Sequence, residues 1–123
     1  MYSIEYSVAI RTLGKAGDKY QATLDSLLSQ TIPPKAIYIY LAEGYDKPKE
    51  TVGVEKIIYV KKGMVAQRAL NYKEVDTSYI LFLDDDVFLP RDAVEKLYNE
   101  LIEYNGDVIS PCVFYNHKNS IKN

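Results

Sequence analysis

The sequence predicts an α/β protein, with a mostly parallel sheet of about five strands in a three-layer α/β/α arrangement. Two observations carry that expectation. Short apolar runs rich in β-favouring residues alternate along the chain with stretches whose apolar residues recur at helical spacing. One run, Tyr79-Ile-Leu-Phe-Leu83, is continuous, as strands covered on both faces are, and it leads straight into Asp84, Asp85 and Asp86.

Taken in order, residues 4 to 11 read as a first strand, broken by Leu13-Gly14-Lys15-Ala16-Gly17, whose two glycines suit either a loop that lets backbone approach a ligand or an ordinary turn. Tyr20, Leu24, Leu27 and Leu28 predict an amphipathic helix over 18 to 30, with Asp18 as its N-cap and Thr31-Ile32-Pro33-Pro34 as its stop. Residues 36 to 41 are a second strand, followed by a polar loop from Ala42 to Pro48 at the sheet edge where open α/β sheets hold ligands. Residues 55 to 60 form a third strand. After Gly63, residues 64 to 75 carry Val65, Ala69, Leu70 and Tyr72 in a helical pattern, with Gln67 and Arg68 on it.

The fourth strand is the apolar run ending in the aspartates. Pro90 suits the first turn of the next helix, whose stripe is Val94, Leu97, Tyr98, Leu101 and Ile102 and whose stop is Asn105-Gly106. Asp107 to Phe114 reads as a fifth strand, and 116 to 123 as a polar tail holding His117, the one histidine, to which no role is assigned. This succession is Rossmann-like.

Composition narrows the function. At 123 residues the chain suits a single domain, without a linker, repeat or low-complexity stretch. Fifteen basic against seventeen acidic residues leave a net charge of -2 and no long basic run, so nucleic acid is not an expected partner. No apolar run approaches the ~20 residues of a membrane span, and the first residues lack the pattern of a secretory signal, so a cytoplasmic location is expected. The single cysteine, Cys112, reads as a small buried residue, and the twelve tyrosines as core packing.

Three adjacent carboxylates beside a core ask for a cation, because two charges about 4 Å apart repel by roughly 4 kcal/mol in a protein-like medium. A hard divalent metal, magnesium or manganese, suits oxygen ligands best. In an extended segment Asp84 and Asp86 would project to the same side, the geometry of an Asp-x-Asp clamp on a metal bridging phosphates. The plain alternative is a solvated acidic turn. A haloacid-dehalogenase-type phosphatase also places Asp-x-Asp after an apolar strand, but Phe88 stands where that group has Thr or Val, and the motif lies late in the chain.

From residue 5 to about 115 the chain resembles the inverting family 2 glycosyltransferases with the GT-A fold. Ile10-Arg11-Thr12-Leu13 is similar to their opening strand and nucleotide loop, and Leu24 to Thr31 to their first helix. Glu43-Gly44 stands where Asp-Gly is usual, Gly63 to Arg68 resembles Gly-x-x-x-Ala-Arg with Gln67 in place of alanine, and Leu83 to Asp86 resembles the Asp-x-Asp strand end. The resemblance implies the nucleotide-binding half of that fold and a nucleoside-diphosphate sugar as donor. Thr12 and Glu43 would lie against the nucleoside, Arg68 near the base or phosphates, Asp84 and Asp85 at the ribose, and Asp86, with Asp84, at a manganese or magnesium ion. Leu13, Gly14 and Ala42 depart from the usual residues, so the resemblance does not fix the nucleotide.

The resemblance also implies a further half that supplies the catalytic base and the site for a hydroxyl-bearing, carbohydrate-like acceptor, and no residue here takes the part of base. Residues 1 to 123 are therefore expected to be one incomplete donor-binding domain. Either it belongs to a transferase, or it is a non-catalytic nucleotide-binding or assembly module. An incomplete sheet would also expose apolar surface and open edges, from which a homo-oligomer is expected.

Overall fold

The computed structural model describes residues 5–61, 74–77, 79–104, 108–109 and 112–116. Gly63, Gln67, Arg68, most of the helix expected over 64 to 75, the stop at Asn105-Gly106 and His117 lie outside them, as do the side chains of Leu101, Ile102 and Cys112.

The described elements are β1 (Tyr6–Thr12), α1 (Asp18–Leu28), β2 (Ala36–Ala42), β3 (Glu55–Val60), β4 (Tyr79–Asp84), α2 (Ala93–Tyr104), β5 (Val108–Ile109) and β6 (Cys112–Asn116). They form one sheet in the order β3-β2-β1-β4-β6-β5. The first four strands in that order are parallel, while β6 runs antiparallel to β4 and to β5.

The parallel part thus has four strands rather than five, and the expected strand over 107 to 114 is an antiparallel pair, Val108 opposite Val113 and Ile109 opposite Cys112. The sequence between the two strands contains a proline, which has no N–H to give a ladder.

Strand alternation sorts the core into two clusters. Tyr6, Val8 and Ile10 of β1, Ile37 and Ile39 of β2, and Leu81 and Leu83 of β4 pack on Tyr20, Leu24 and Leu27 of α1 and on Val94 and Leu97 of α2. The alternate positions, Ala9, Tyr38, Tyr40 and Ile80, make a second cluster with Val75 on the opposite face. Tyr6, Tyr20, Tyr38 and Tyr40 are all buried, which bears out core packing as the use of these tyrosines.

Two helix starts differ from expectation. Gly17, not Asp18, occupies the N-cap of α1 at φ 60°, and Asp18 is the first helical residue, with no side-chain capping bond at this end. The Gly17 carbonyl already accepts from the N–H groups of Tyr20 and Gln21 at 3.0 and 3.2 Å, an arrangement that glycine reaches without a Cβ penalty. Pro90 likewise precedes α2, its carbonyl accepting from the Ala93 N–H at 3.0 Å.

A buried glutamine joins the helices. Gln30 donates through Nε2 to the carbonyls of Ser26 (3.0 Å) and Pro90 (2.7 Å), while its Oε1 accepts from the Val94 N–H at 3.0 Å. Ser26 Oγ accepts from the Leu89 N–H at 3.2 Å. Together they fasten the segment that follows the aspartates to the end of α1.

Tyr20 is fully buried but its hydroxyl has no hydrogen-bond partner. Burial, and then the charges of Glu55, Glu50 and Asp85, hold its pKa well above the ordinary phenol range. A buried unsatisfied hydroxyl costs stability, so Tyr20→Phe should leave the unfolding free energy unchanged or raise it by up to ~1 kcal/mol in urea titration. Leu24→Ala, which empties the same cluster, should lower it by about 2 to 5 kcal/mol.

Candidate functional site

The candidate site lies at the C-terminal edge of the parallel strands, where β1 ends in Thr12, β2 passes into Glu43 and β4 ends in Asp84. β1 is central, hydrogen-bonded to β2 on one side and β4 on the other, so its last residues stand between the other two strand ends.

Thr12 is buried and uses its hydroxyl twice. Oγ1 accepts from the Gly14 N–H at 2.9 Å and donates to Asp85 Oδ2 at 2.6 Å. It therefore satisfies a turn amide and also ties the glycine loop to the turn after β4. Gly14, at φ 79°, lies so close to the second loop that a Cβ there would stand 2.4 Å from the Asp46 carbonyl oxygen. Lys15 Nζ also sits 5.1 Å from the centre of the Tyr45 ring, a cation–π contact between the same two loops.

The three aspartates are not equivalent. Asp84 is paired with Arg11, Nη2 to Oδ1 at 3.4 Å, whereas Asp85 is half-buried and held by Thr12. Asp86 is exposed. β4 stops at Asp84 and residues 85 and 86 form a turn, so the two-residue alternation that would aim Asp84 and Asp86 to one side does not extend to Asp86. Part of the repulsion that asked for a cation is relieved within the chain by Arg11, which sequence reasoning treated only as a strand residue. Glu43 is exposed, and its backbone N–H donates to the Val60 carbonyl at 2.7 Å. Arg68 is outside the described residues.

Among the described residues, no three or more His, Cys, Asp or Glu side chains converge as a metal cage. What is present suits a different mode, in which magnesium or manganese is held by one or two carboxylates and completed by water and substrate phosphates. Exposed Asp86, in the turn after β4, fits that mode.

Sequence reasoning missed Arg11, Ser26 and Gln30. The signal for Arg11 was a charged residue in the last turn of alternation of an otherwise buried strand. For Gln30 it was an amide placed between the end of a helix and two prolines.

The parallel sheet with helices packed on it is a fold shared with solved structures. TarS from S. aureus superposes with a TM-score of 0.57 at 18% identity, over 85% of this chain and 21% of that one. A fragment of TarS solved with UDP-GlcNAc gives a TM-score of 0.59 at 16% identity, over 85% of this chain and 33% of that one. An active-site mutant of LgtC gives 0.65 at 12% identity, over 95% and 59%. Residues 7–122 match Glycosyl transferase family 2, and the chain belongs to that family. It is also similar to the glycosyltransferase GlyA of Streptococcus pneumoniae serotype 4 (strain ATCC BAA-334 / TIGR4), 27% identical over 93 residues. The match covers 69% of this chain and 13% of that relative, so the chain spans a small part of its length. Among the described residues no helix is long and apolar enough to cross a membrane.

The close approach at Gly14 gives a comparison between two glycines. Gly14→Ala should lower unfolding free energy by about 1 to 3 kcal/mol, because it adds a backbone clash to a left-handed φ. Gly17→Ala, at φ 60° with nothing within 4 Å of a Cβ, should cost only about 1 kcal/mol. Equal losses in urea titration would show that the two loops are not in contact.

Proposed function

We propose that the C-terminal edge binds a nucleoside-diphosphate sugar, and that residues 1 to 123 act as one donor-binding unit of an inverting glycosyltransferase that delivers the sugar to a hydroxyl acceptor. The observation that carries this reading is the Thr12–Asp85 hydrogen bond, which joins the glycine loop and the aspartate turn into one wall. Support comes from the solved TarS fragments with UDP and with UDP-GlcNAc, which share the fold.

In this reading the exposed Glu43 and the Thr12 loop lie along the nucleoside, Arg68 near the base or phosphates, and Asp84 and Asp85 accept hydrogen bonds from ribose hydroxyls. Asp86, with Asp84 beside it, holds a manganese or magnesium ion on the diphosphate. Such an ion supplies Lewis-acid stabilisation to the departing nucleoside diphosphate. The chain's own part is to orient the donor: Gly14 lets the first loop close on the second, and Thr12 fixes the Asp85 carboxylate before the donor arrives, so that little ordering remains on binding. A cytoplasmic setting belongs to the same reading.

Calorimetry tests it. UDP should bind, and manganese should tighten binding by about tenfold or more, since a metal neutralises phosphate charge that the carboxylates otherwise repel. Asp86→Asn should keep metal-free UDP binding and lose the gain from manganese. No UDP or GDP binding in any buffer would overturn the donor site; binding without a metal effect would overturn only the role of Asp86.

A further inference from the structure

We infer that Arg11 is a positioning residue, which fixes the Asp84 carboxylate as an acceptor for a sugar hydroxyl of the bound nucleotide. The inference rests on the donor-site reading above.

The argument begins with register. Arg11 is opposite Asp84 across the β1–β4 ladder and opposite Tyr40 across the β1–β2 ladder. One row therefore crosses the sheet edge as Tyr40, Arg11, Asp84, and the Tyr40 hydroxyl donates to the Glu74 carboxylate. Arg11 thus lies on the face of the second core cluster, paired with Asp84 and in register with Tyr40. Thr12, the next residue, faces the helices and holds Asp85. Adjacent residues of one strand thus fix adjacent carboxylates of the next segment from opposite faces.

Burial gives the pair a direction. The Arg11 side chain is only 20% exposed, whereas that of Asp84 is 65% exposed. The guanidinium is the anchored member, set on the central strand beside packed tyrosine, and the carboxylate is the member that reaches solvent. Asp84 without Arg11 would be a strand-end carboxylate free to rotate and fully repelled by a diphosphate. With Arg11 on Oδ1, it is neutralised in place and Oδ2 stays open to accept from a neutral hydroxyl. A carboxylate shared with a guanidinium is a poorer ligand for a metal ion, which leaves Asp86 as the carboxylate better suited to the cation.

The test measures discrimination rather than affinity alone. UDP, 2′-deoxy-UDP and 3′-deoxy-UDP are titrated in metal-free buffer into the unmodified chain and into Arg11→Met, Arg11→Lys, Asp84→Asn and the double variant Arg11→Met with Asp84→Asn. The unmodified chain should prefer UDP over at least one deoxy analogue by about tenfold, the scale of a hydrogen bond to a charged acceptor. Arg11→Met should lower that preference by about three- to fivefold, the scale of an exposed ion pair. Arg11→Lys, which keeps the charge and loses the fork, should fall between. The double variant should discriminate no worse than Asp84→Asn alone, because Arg11 acts through Asp84.

A preference unchanged in Arg11→Met while Asp84→Asn loses it would overturn the inference. So would a fall in thermal midpoint with no change in preference, which would mark a structural ion pair, and so would an unmodified chain indifferent to the ribose hydroxyls. These failures leave UDP binding intact, whereas failure of every form to bind UDP would overturn the donor site itself.

Discussion

The side-chain amide of Gln30 is buried where α1 ends, and it uses its oxygen and its nitrogen on different parts of the chain. Its nitrogen donates to the carbonyls of Ser26 and Pro90, and its oxygen accepts from the Val94 N–H at the start of α2. The Ser26 carbonyl and the Val94 N–H lie at a helix end and a helix start, where the helices themselves offer no partners. The Pro90 carbonyl would keep the Ala93 N–H without it, but leaving the buried Ser26 carbonyl and Val94 N–H unpaired would cost about 1 to 3 kcal/mol each. The path from Asp84 to α2 is fixed because one amide, assisted by Ser26 on Leu89, satisfies its buried groups. The turn carrying Asp85 and Asp86 is consequently held at both ends, by the β1–β4 ladder before it and by this clamp after it.

That restraint holds a short acidic turn against its neighbours. Parallel pairing delivers the end of β4 beside the end of β1, and Thr12 and Arg11 then take one carboxylate each. The loop contact at Gly14 and the Lys15–Tyr45 pair bring the edge of β2 against the same wall. Most of this architecture is backbone and packing, and the candidate residues stand on strand ends that the core has already placed.

The strands were legible because they are nearly continuous apolar runs: β3 was expected over 55 to 60 and is found there, and β1 and β2 differ by a residue or two. The antiparallel pair at the far edge was not legible as two strands, since Val108 to Phe114 has uniform β character apart from Ser110-Pro111. At the site, sequence order brought out Thr12 and the aspartates. It hid Arg11 because its use depends on register: Arg11 and Asp84 are 73 residues apart, and only the ladder makes them neighbours. The expected alternation of Asp84 and Asp86 failed for a related reason, as the length of a strand is decided by pairing, and β4 has no residue beyond Asp84 in that ladder.

The single-residue offset between Arg11 and Thr12 makes β1 a ruler as well as a scaffold. Inserting or deleting one residue within it would preserve its composition, its hydrophobicity and its strand propensity. It would nevertheless exchange the two faces, pressing a guanidinium toward the helix-side core and turning the Thr12 hydroxyl away from Asp85. Length in this strand is therefore as tightly specified as chemistry, and point substitution is a far gentler route to new specificity here than any shift of frame within the strand.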